Sequence, residues 1–314
     1  MKVTAFRCLA WQLAALVILL ATPMISQSSQ AKETLLVSIL CSRNSALYQQ
    51  VADSFKKYLQ SNISQVEFSV YYLDGSQEIL SKIKKQKMDL VYTLGSRATG
   101  TALKELTETP VIAAMIFSSR EFVNAPNATG VMLEFPASIQ LQWLRRFLPD
   151  AKRIGVLCNL QENRQLINKL ELEAKKLGLE LIAVNVETPR ELPAALKSLS
   201  RRADVLLGVP DKIVLSSQAA KAVLLCSFRN RIPFVGLSGS WVKAGALYTL
   251  ALDYGNLGIQ SAEIALRVLH GTPAGTIPPA APRKIMYSLN LKTAQHMKLN
   301  IKPELVKAAQ HIFR

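Results

Sequence analysis

The chain has 314 residues, 49% of them hydrophobic and 19% charged, which suits about two domains and excludes a disordered chain. Its 14 Gly, 14 Pro and 4 Cys exclude collagen and a disulfide scaffold, and no heptad repeat supports a coiled coil. Lys plus Arg outnumber Asp plus Glu by 38 to 22, a formal charge of +16 that permits an anionic partner, while only His270, His296 and His311 are available for a His-based metal site or triad.

In chain order, the first segment reads as an address. Lys2 and Arg7 form a positive start, Leu13–Ala21 is an uninterrupted apolar run, and Ser29-Gln30-Ala31 supplies small residues for cleavage. The run is too short for a spanning helix, so residues 1–31 are expected to be a signal peptide that sends the protein to the periplasm. An anchor retained over Trp11–Ile25 is the alternative, and it must tolerate Gln12 and Pro23. Cleavage removes two bases and no acid, leaving +14. Cys41, Cys158 and Cys226 remain, an odd number that rules out complete internal pairing.

From Lys32 onward, short apolar runs alternate with amphipathic stretches. The runs are Leu35–Cys41, Val66–Tyr71, Leu90–Leu94, Val111–Phe117, Gly130–Leu133, Ile154–Cys158, Leu181–Val186, Val205–Val209, Pro233–Leu237 and Leu247–Leu252. Helical patterns such as Ala46–Leu59, Ala137–Leu148, Arg164–Leu177 and Ser216–Asn230 lie between them. Runs of this kind fit parallel strands buried on both faces, and the alternation fits right-handed βαβ crossovers. The expected fold is α/β, with two doubly wound parallel-sheet lobes, the second beginning near Lys152.

No phosphate-binding loop, dinucleotide fingerprint, nucleophile elbow, HExxH or CxxC is present. The informative positions are the strand C-terminal ends, where open α/β sheets bind ligands. They carry Ser42, Asn44 and Ser45; Gly95 and Ser96; Ser118 and Ser119; Asn159; Asp211; Ser238; and Asp253 with Tyr254. Each alone reads as a helix cap. Together, facing one cleft, they read as a ligand site. Ser42 and Ser96 precede helices, whose free N–H groups favour an anionic group such as a carboxylate. Tyr72, Tyr92 and Tyr254 are candidates for stacking. No metal or redox cofactor is expected, and the dispersed basic residues, not interleaved with aromatics, argue against nucleic acid.

Several segments carry a resemblance over nearly the whole chain after residue 32. They are Asp89–Thr99 (DLVYTLGSRAT), Pro110–Phe117, Asn127–Val131, Gln140–Asn159 (QLQWLRRFLPDAKRIGVLCN), Glu173–Leu179, Lys243–Gly258 (KAGALYTLALDYGNLG) and Ser288–Leu299. The chain resembles the ABC-transporter substrate-binding proteins of the type I periplasmic-binding fold, in the group noted for tryptophan- or tyrosine-like ligands. The resemblance implies a monomer of two lobes joined by three crossover strands, a small organic ligand clamped between them, docking on a membrane permease, and no catalysis. Lobe one is expected at 32–133 plus 256–284 and lobe two at 134–255 plus 285–314, with crossings near Leu133–Pro136, Asp253–Asn256 and Lys284–Ser288. Two departures stand out. The family's Asp-Pro after the fourth strand is replaced by Ser118-Ser119-Arg120, and its Asn-Pro after the GVL strand by Asn159-Leu160-Gln161. Two alternatives are a module feeding a membrane sensor, and a racemase-type enzyme using Cys41 and Cys158 from opposite sides of the cleft.

Overall fold

The computed structural model describes residues 34–73, 78–117, 119–122 and 124–314. The leader reading over residues 1–31 and the site candidate Ser118 lie outside them.

The first sheet contains β1 (Leu35–Cys41), β2 (Val66–Tyr72), β3 (Leu90–Leu94), β4 (Val111–Ile116) and β5 (Ala128–Met132). All pair in parallel, in the order β2-β1-β3-β4-β5. Helices α1 (Ala46–Asn62), α2 (Glu78–Lys85) and α3 (Ser96–Glu105) supply the crossovers. β3 and β4 are buried at every residue, which is why their sequences are continuous apolar runs without alternation.

The second sheet repeats this plan with β6 (Arg153–Cys158), β7 (Glu180–Asn185), β8 (Val205–Leu207), β9 (Phe234–Val235) and β10 (Tyr248–Leu252). Read as β7-β6-β8-β9-β10, it has the same order as the first sheet. Two further strands extend it: β11 (Ile285–Asn290), antiparallel to β10, and β12 (His311–Phe313), parallel to β11. Neither belongs to the ten apolar runs. β11 carries Tyr287, Ser288 and Asn290 in place of an aliphatic run, and β12 is only three residues long. Its helices are α4 (Ala137–Phe147), α5 (Leu160–Lys176), α6 (Leu192–Leu199), α7 (Ser217–Asn230), α8 (Gly239–Ala244), α10 (Leu291–His296) and α11 (Pro303–Lys307). Phe147 stacks on Tyr248 at 4.0 Å and meets Tyr287 edge-on at 5.2 Å, tying α4 to two strands.

The remaining helix, α9 (Tyr254–Leu269), follows β10 of the second sheet yet packs on the first. Leu257, Ala262 and Ala265 share a core with Val51 and Phe55 of α1. Gly258 permits the contact, since a Cβ there would stand 2.3 Å from the Val51 carbonyl oxygen. The chain then runs along β5, where the Thr129 hydroxyl donates to Ile277 O and Ala280 bridges Val131, before entering β11. Three passages between the sheets result: after Met132, after Leu252 and before Ile285. Leu252 is paired with Ile285, so all three lie at the carboxyl ends of β5 and β10. The strand-end loops of both sheets are therefore on the side where the lobes join.

Candidate ligand site at the strand ends

In a sheet of this order, the crevice opens where the first and third strands diverge. In the first sheet that point lies between β1 and β3. Ser42 N–H donates to Leu94 O at 2.9 Å, and Ser42 Oγ accepts from Ala98 N–H at 2.9 Å. The hydroxyl after β1 thus caps α3, whose own cap residue, Gly95, has no side chain. Gly95 has φ +90°, and a Cβ there would lie 2.5 Å from Tyr48 Oη and 2.6 Å from Ser42 Oγ. Ser45 caps α1 by accepting from Tyr48 N–H, and Asn44 Oδ1 accepts from Gln49 Nε2 at 2.7 Å. The Ser96 hydroxyl donates to Glu121 Oε1 at 2.7 Å. Ser119 opens the 3-10 turn Ser119–Phe122 that carries Glu121.

The matching point of the second sheet lies between β6 and β8, and Asp211 bridges it. Its Oδ2 accepts from Asn159 N–H at 2.7 Å and from Asn163 Nδ2 at 3.0 Å. Its Oδ1 accepts from Ile213 N–H at 2.9 Å and Val214 N–H at 2.8 Å. The Asn159 side chain caps α5 by accepting from Gln161 and Glu162 N–H. Ser238 occupies the cap position of α8 without making a capping bond. Asp253 caps α9 through Asn256 N–H at 2.8 Å and pairs with Lys284 Nζ at 2.7 Å. Burial opposes ionisation of Asp253, but Lys284 and the Asn256 N–H outweigh it and hold the carboxyl below its usual range.

Of the three tyrosines, Tyr92 is fully buried and stacks on Phe55 at 3.9 Å, so it is core and unavailable to a ligand. Its hydroxyl has no partner in hydrogen-bonding geometry, although the Ser261 hydroxyl is near enough to lower its pKa against the larger upward push of burial. Tyr72 and Tyr254 are half-buried against the same core.

Cys41 and Cys158 end β1 and β6 as free, buried thiols. Burial pushes Cys41 up to about 11, with Lys56 lowering it slightly, and burial with Asp211 pushes Cys158 up to about 12. At neutral pH both are protonated, and a proton-abstracting thiolate is not on hand.

Three residues outside the expected set stand at the same edges. Phe117 follows β4 and is 70% exposed, and Leu237 follows β9 and is 40% exposed. Glu121 is half-buried, with Oε1 on Ser96 and Oε2 buried without any partner. Phe117 owes its position to a break in β4. Register shifts between Ala113 and Ile116, Met115 has φ +60°, and Gly130 on the adjacent strand leaves the space, since a Cβ there would meet Ala113 O at 2.0 Å. Such a bulge re-aims the side chains that follow it.

Two open depressions, of about 410 and 530 Å³, are lined by other residues, Arg164, Ala183 and Arg202 in one, Pro126, Thr276 and Pro279 in the other. The first is also lined by Glu171 and Glu180, but neither depression contains the polar caps or the exposed ring of the strand ends. Among the described residues, no group of three His, Cys, Asp or Glu side chains is placed to hold a metal ion, and no helix is long and apolar enough to cross a membrane.

Two doubly wound parallel sheets of like order, with three passages at their carboxyl edges, define a type I periplasmic binding protein fold. Residues 37–313 match the family of ABC transporter substrate binding proteins, and the chain belongs to that family. It is 28% identical over 212 residues to the tyrosine-binding protein of Clostridioides difficile (strain R20291), a match covering 65% of this chain and 61% of that protein's length. A ligand-free, open substrate-binding protein with adhesive properties from Clostridium difficile superposes with TM-score 0.73 at 20% identity, over 89% of this chain and 99% of the other. An ABC domain from Streptococcus pneumonia in complex with L-Trp gives 0.55 at 19% identity, over 90% and 100%.

Proposed function

We propose that the chain is the periplasmic solute-binding component of an ABC-type uptake system, exported by residues 1–31. Residues 32–133 plus 256–284 and residues 134–255 plus 285–314 are the two lobes, and a small amino-acid-like ligand bearing a carboxylate is held between them. The observation that carries this reading is the family match over residues 37–313, joined to strand-end loops rich in hydroxyl, amide and acid groups. The tyrosine-binding relative and the L-Trp complex favour an amino acid with an aromatic side chain. The raised thiols of Cys41 and Cys158 favour binding without turnover. Contacts come from Ser42, Asn44, Ser45, Gly95, Ser96, Ser118 and Ser119 on one side and from Asn159, Asp211, Ser238, Asp253 and Tyr254 on the other.

The test is mass spectrometry of the compound that co-purifies with the exported protein, followed by calorimetric titration of that compound. One-to-one binding without chemical change is the expected result. Turnover of the compound, abolished by Cys41→Ala or Cys158→Ala, would overturn the reading in favour of an enzyme.

A further inference from the structure

The acids of the chain leave parts of it to the bases alone. Residues 192–203, 212–252 and 288–303 contain no Asp or Glu. The helices of these stretches stand side by side next to the second sheet. α7 meets α6 where Cys226 Sγ lies 3.8 Å from Leu196 O, and it meets α10 where the Phe228 and His296 rings stack at 3.7 Å and 3°. His296 Nε2 is also 3.2 Å from Phe228 O. Lys221, Arg229, Arg231, Lys292 and Lys298 are all exposed here, and none joins an ion pair among the described residues.

α7 supplies the second, independent observation. Ala219, Val223 and Ser227 recur every four residues and are buried, which turns Lys221, Leu225 and Phe228 to the opposite side. Leu225 is 42% exposed and Phe228 47%, about one helical turn apart. The stack on His296 covers one face of the Phe228 ring and fixes its place, so the ring is held outward instead of folding onto its own core. Single exposed apolar side chains are ordinary. Two on one helix face, inside a field of bases without acids, form an amphipathic surface of the kind that meets lipid.

We propose that this face of α7 and α10 rests on an anionic lipid surface, with Leu225 and Phe228 entering the headgroup layer and the surrounding bases meeting the phosphates. The proposal goes beyond the solute-binding reading and holds whichever ligand the cleft takes. A second copy of the chain is a poor occupant, because a two-fold contact would set the same bases against each other. A protein partner would need a shaped surface of roughly 800 Å² per side. A lipid layer needs no such fit: it admits isolated apolar side chains and supplies dense negative charge.

The test is co-sedimentation of residues 32–314 with vesicles of phosphatidylcholine, alone or with about 30% phosphatidylglycerol. Wild type is compared with Phe228→Ala, Leu225→Ala and the double variant Lys221→Glu/Arg229→Glu, each shown to be folded by its melting curve. Lys57→Glu/Lys104→Glu makes the same change of net charge at exposed positions next to the first sheet. Wild type should bind the anionic vesicles and not the neutral ones, and raising salt from about 50 to about 500 mM should release it. A base near such a surface contributes about fivefold, so reversing two should weaken binding by about 25-fold or more. Each apolar truncation should weaken it by about threefold to tenfold. The first-sheet double variant should stay within about twofold of wild type, since its bases lie beyond screening distance. Failure to bind anionic vesicles at low salt overturns the proposal, as does an equal loss in both double variants. Binding to polyglutamate that matches the vesicles and ignores Phe228→Ala would place an acidic protein on this face instead. A dimer in sedimentation equilibrium that Phe228→Ala dissociates would place a second copy there.

Discussion

Removing the Asp211 carboxylate should destabilise the second lobe, because it holds two loops together at four points. Its donors are Asn159 N–H and Asn163 Nδ2 on the β6–α5 side, and Ile213 and Val214 N–H in its own loop. A hydrogen bond to a charged acceptor contributes about 1.5–3 kcal/mol. The four do not add, since they share two oxygens, and water can reach donors freed at a half-exposed site. Asp211→Ala should therefore cost about 3–4 kcal/mol, and Asp211→Asn about 1–2 kcal/mol, because its one amide oxygen keeps a single donor pair. At roughly 2–4 °C per kcal/mol, the alanine variant should melt about 6–16 °C lower. Tryptophan fluorescence is the suitable assay. Beyond the leader the chain has only Trp143 and Trp241, which pack in the cores of the second sheet. A wild-type melting curve for Asp211→Ala would show that the carboxylate does not brace the two loops.

Gly95→Ala should cost on the order of 3 kcal/mol, because φ +90° with ψ 153° is essentially reserved for glycine and the new methyl would strike Tyr48 Oη and Ser42 Oγ; a urea midpoint equal to wild type refutes it. Cys41 and Cys158 have folded pKa values of about 11 and about 12, above the unfolded thiol near ~8.5, so their contribution to stability is whole below that pH and is lost as pH rises toward 11–12. Native protein at pH 8 should thus react with a thiol reagent first at the more exposed Cys226, and equal labelling of all three would contradict it. N-terminal sequencing of the exported protein should begin Lys32-Glu33-Thr34, and a membrane-bound chain beginning at Met1 would exclude cleavage.

The fold was legible where burial is two-sided. β3 and β4 have no solvent face, so their apolar runs stand out between polar turns, and the recurrence of the pattern after Lys152 marks the second sheet. β11 and β12 lack that signature and are set by pairing with β10 and with each other. At the strand ends, residue types were readable but their partners were not. Ser45, Asn159 and Asp253 cap the helices that follow them, as local sequence suggests. Ser42, in contrast, caps a helix that begins 54 residues later, and Ser96 meets an acid 25 residues away. Phe117 closes an apolar run and reads as core. In the structure it is exposed, just past a register shift with β5 in which Met115 has a positive φ.

Asp211, Asp253 and Glu121 all stand at strand ends, and they differ in what each already holds. Asp211 has four N–H donors, Asp253 has an N–H and the Lys284 ammonium, and Glu121 has one hydroxyl and one unpartnered oxygen. A ligand ammonium must displace existing donors at the first and compete with a lysine at the second, while at the third the unpartnered oxygen is sealed from solvent. The variants should separate accordingly. Asp211→Ala loses stability, whereas Glu121→Gln, whose two effects oppose each other, should melt within a few degrees of wild type. In Glu121→Gln the amide oxygen stays on the Ser96 hydroxyl and two N–H donors take the buried place of Oε2 without an acceptor, at a cost of about 1–3 kcal/mol that opposes the relief of an unpartnered charge. A melting temperature for Glu121→Gln many degrees below wild type would mean that the carboxylate, through its bond from Ser96, braces α3.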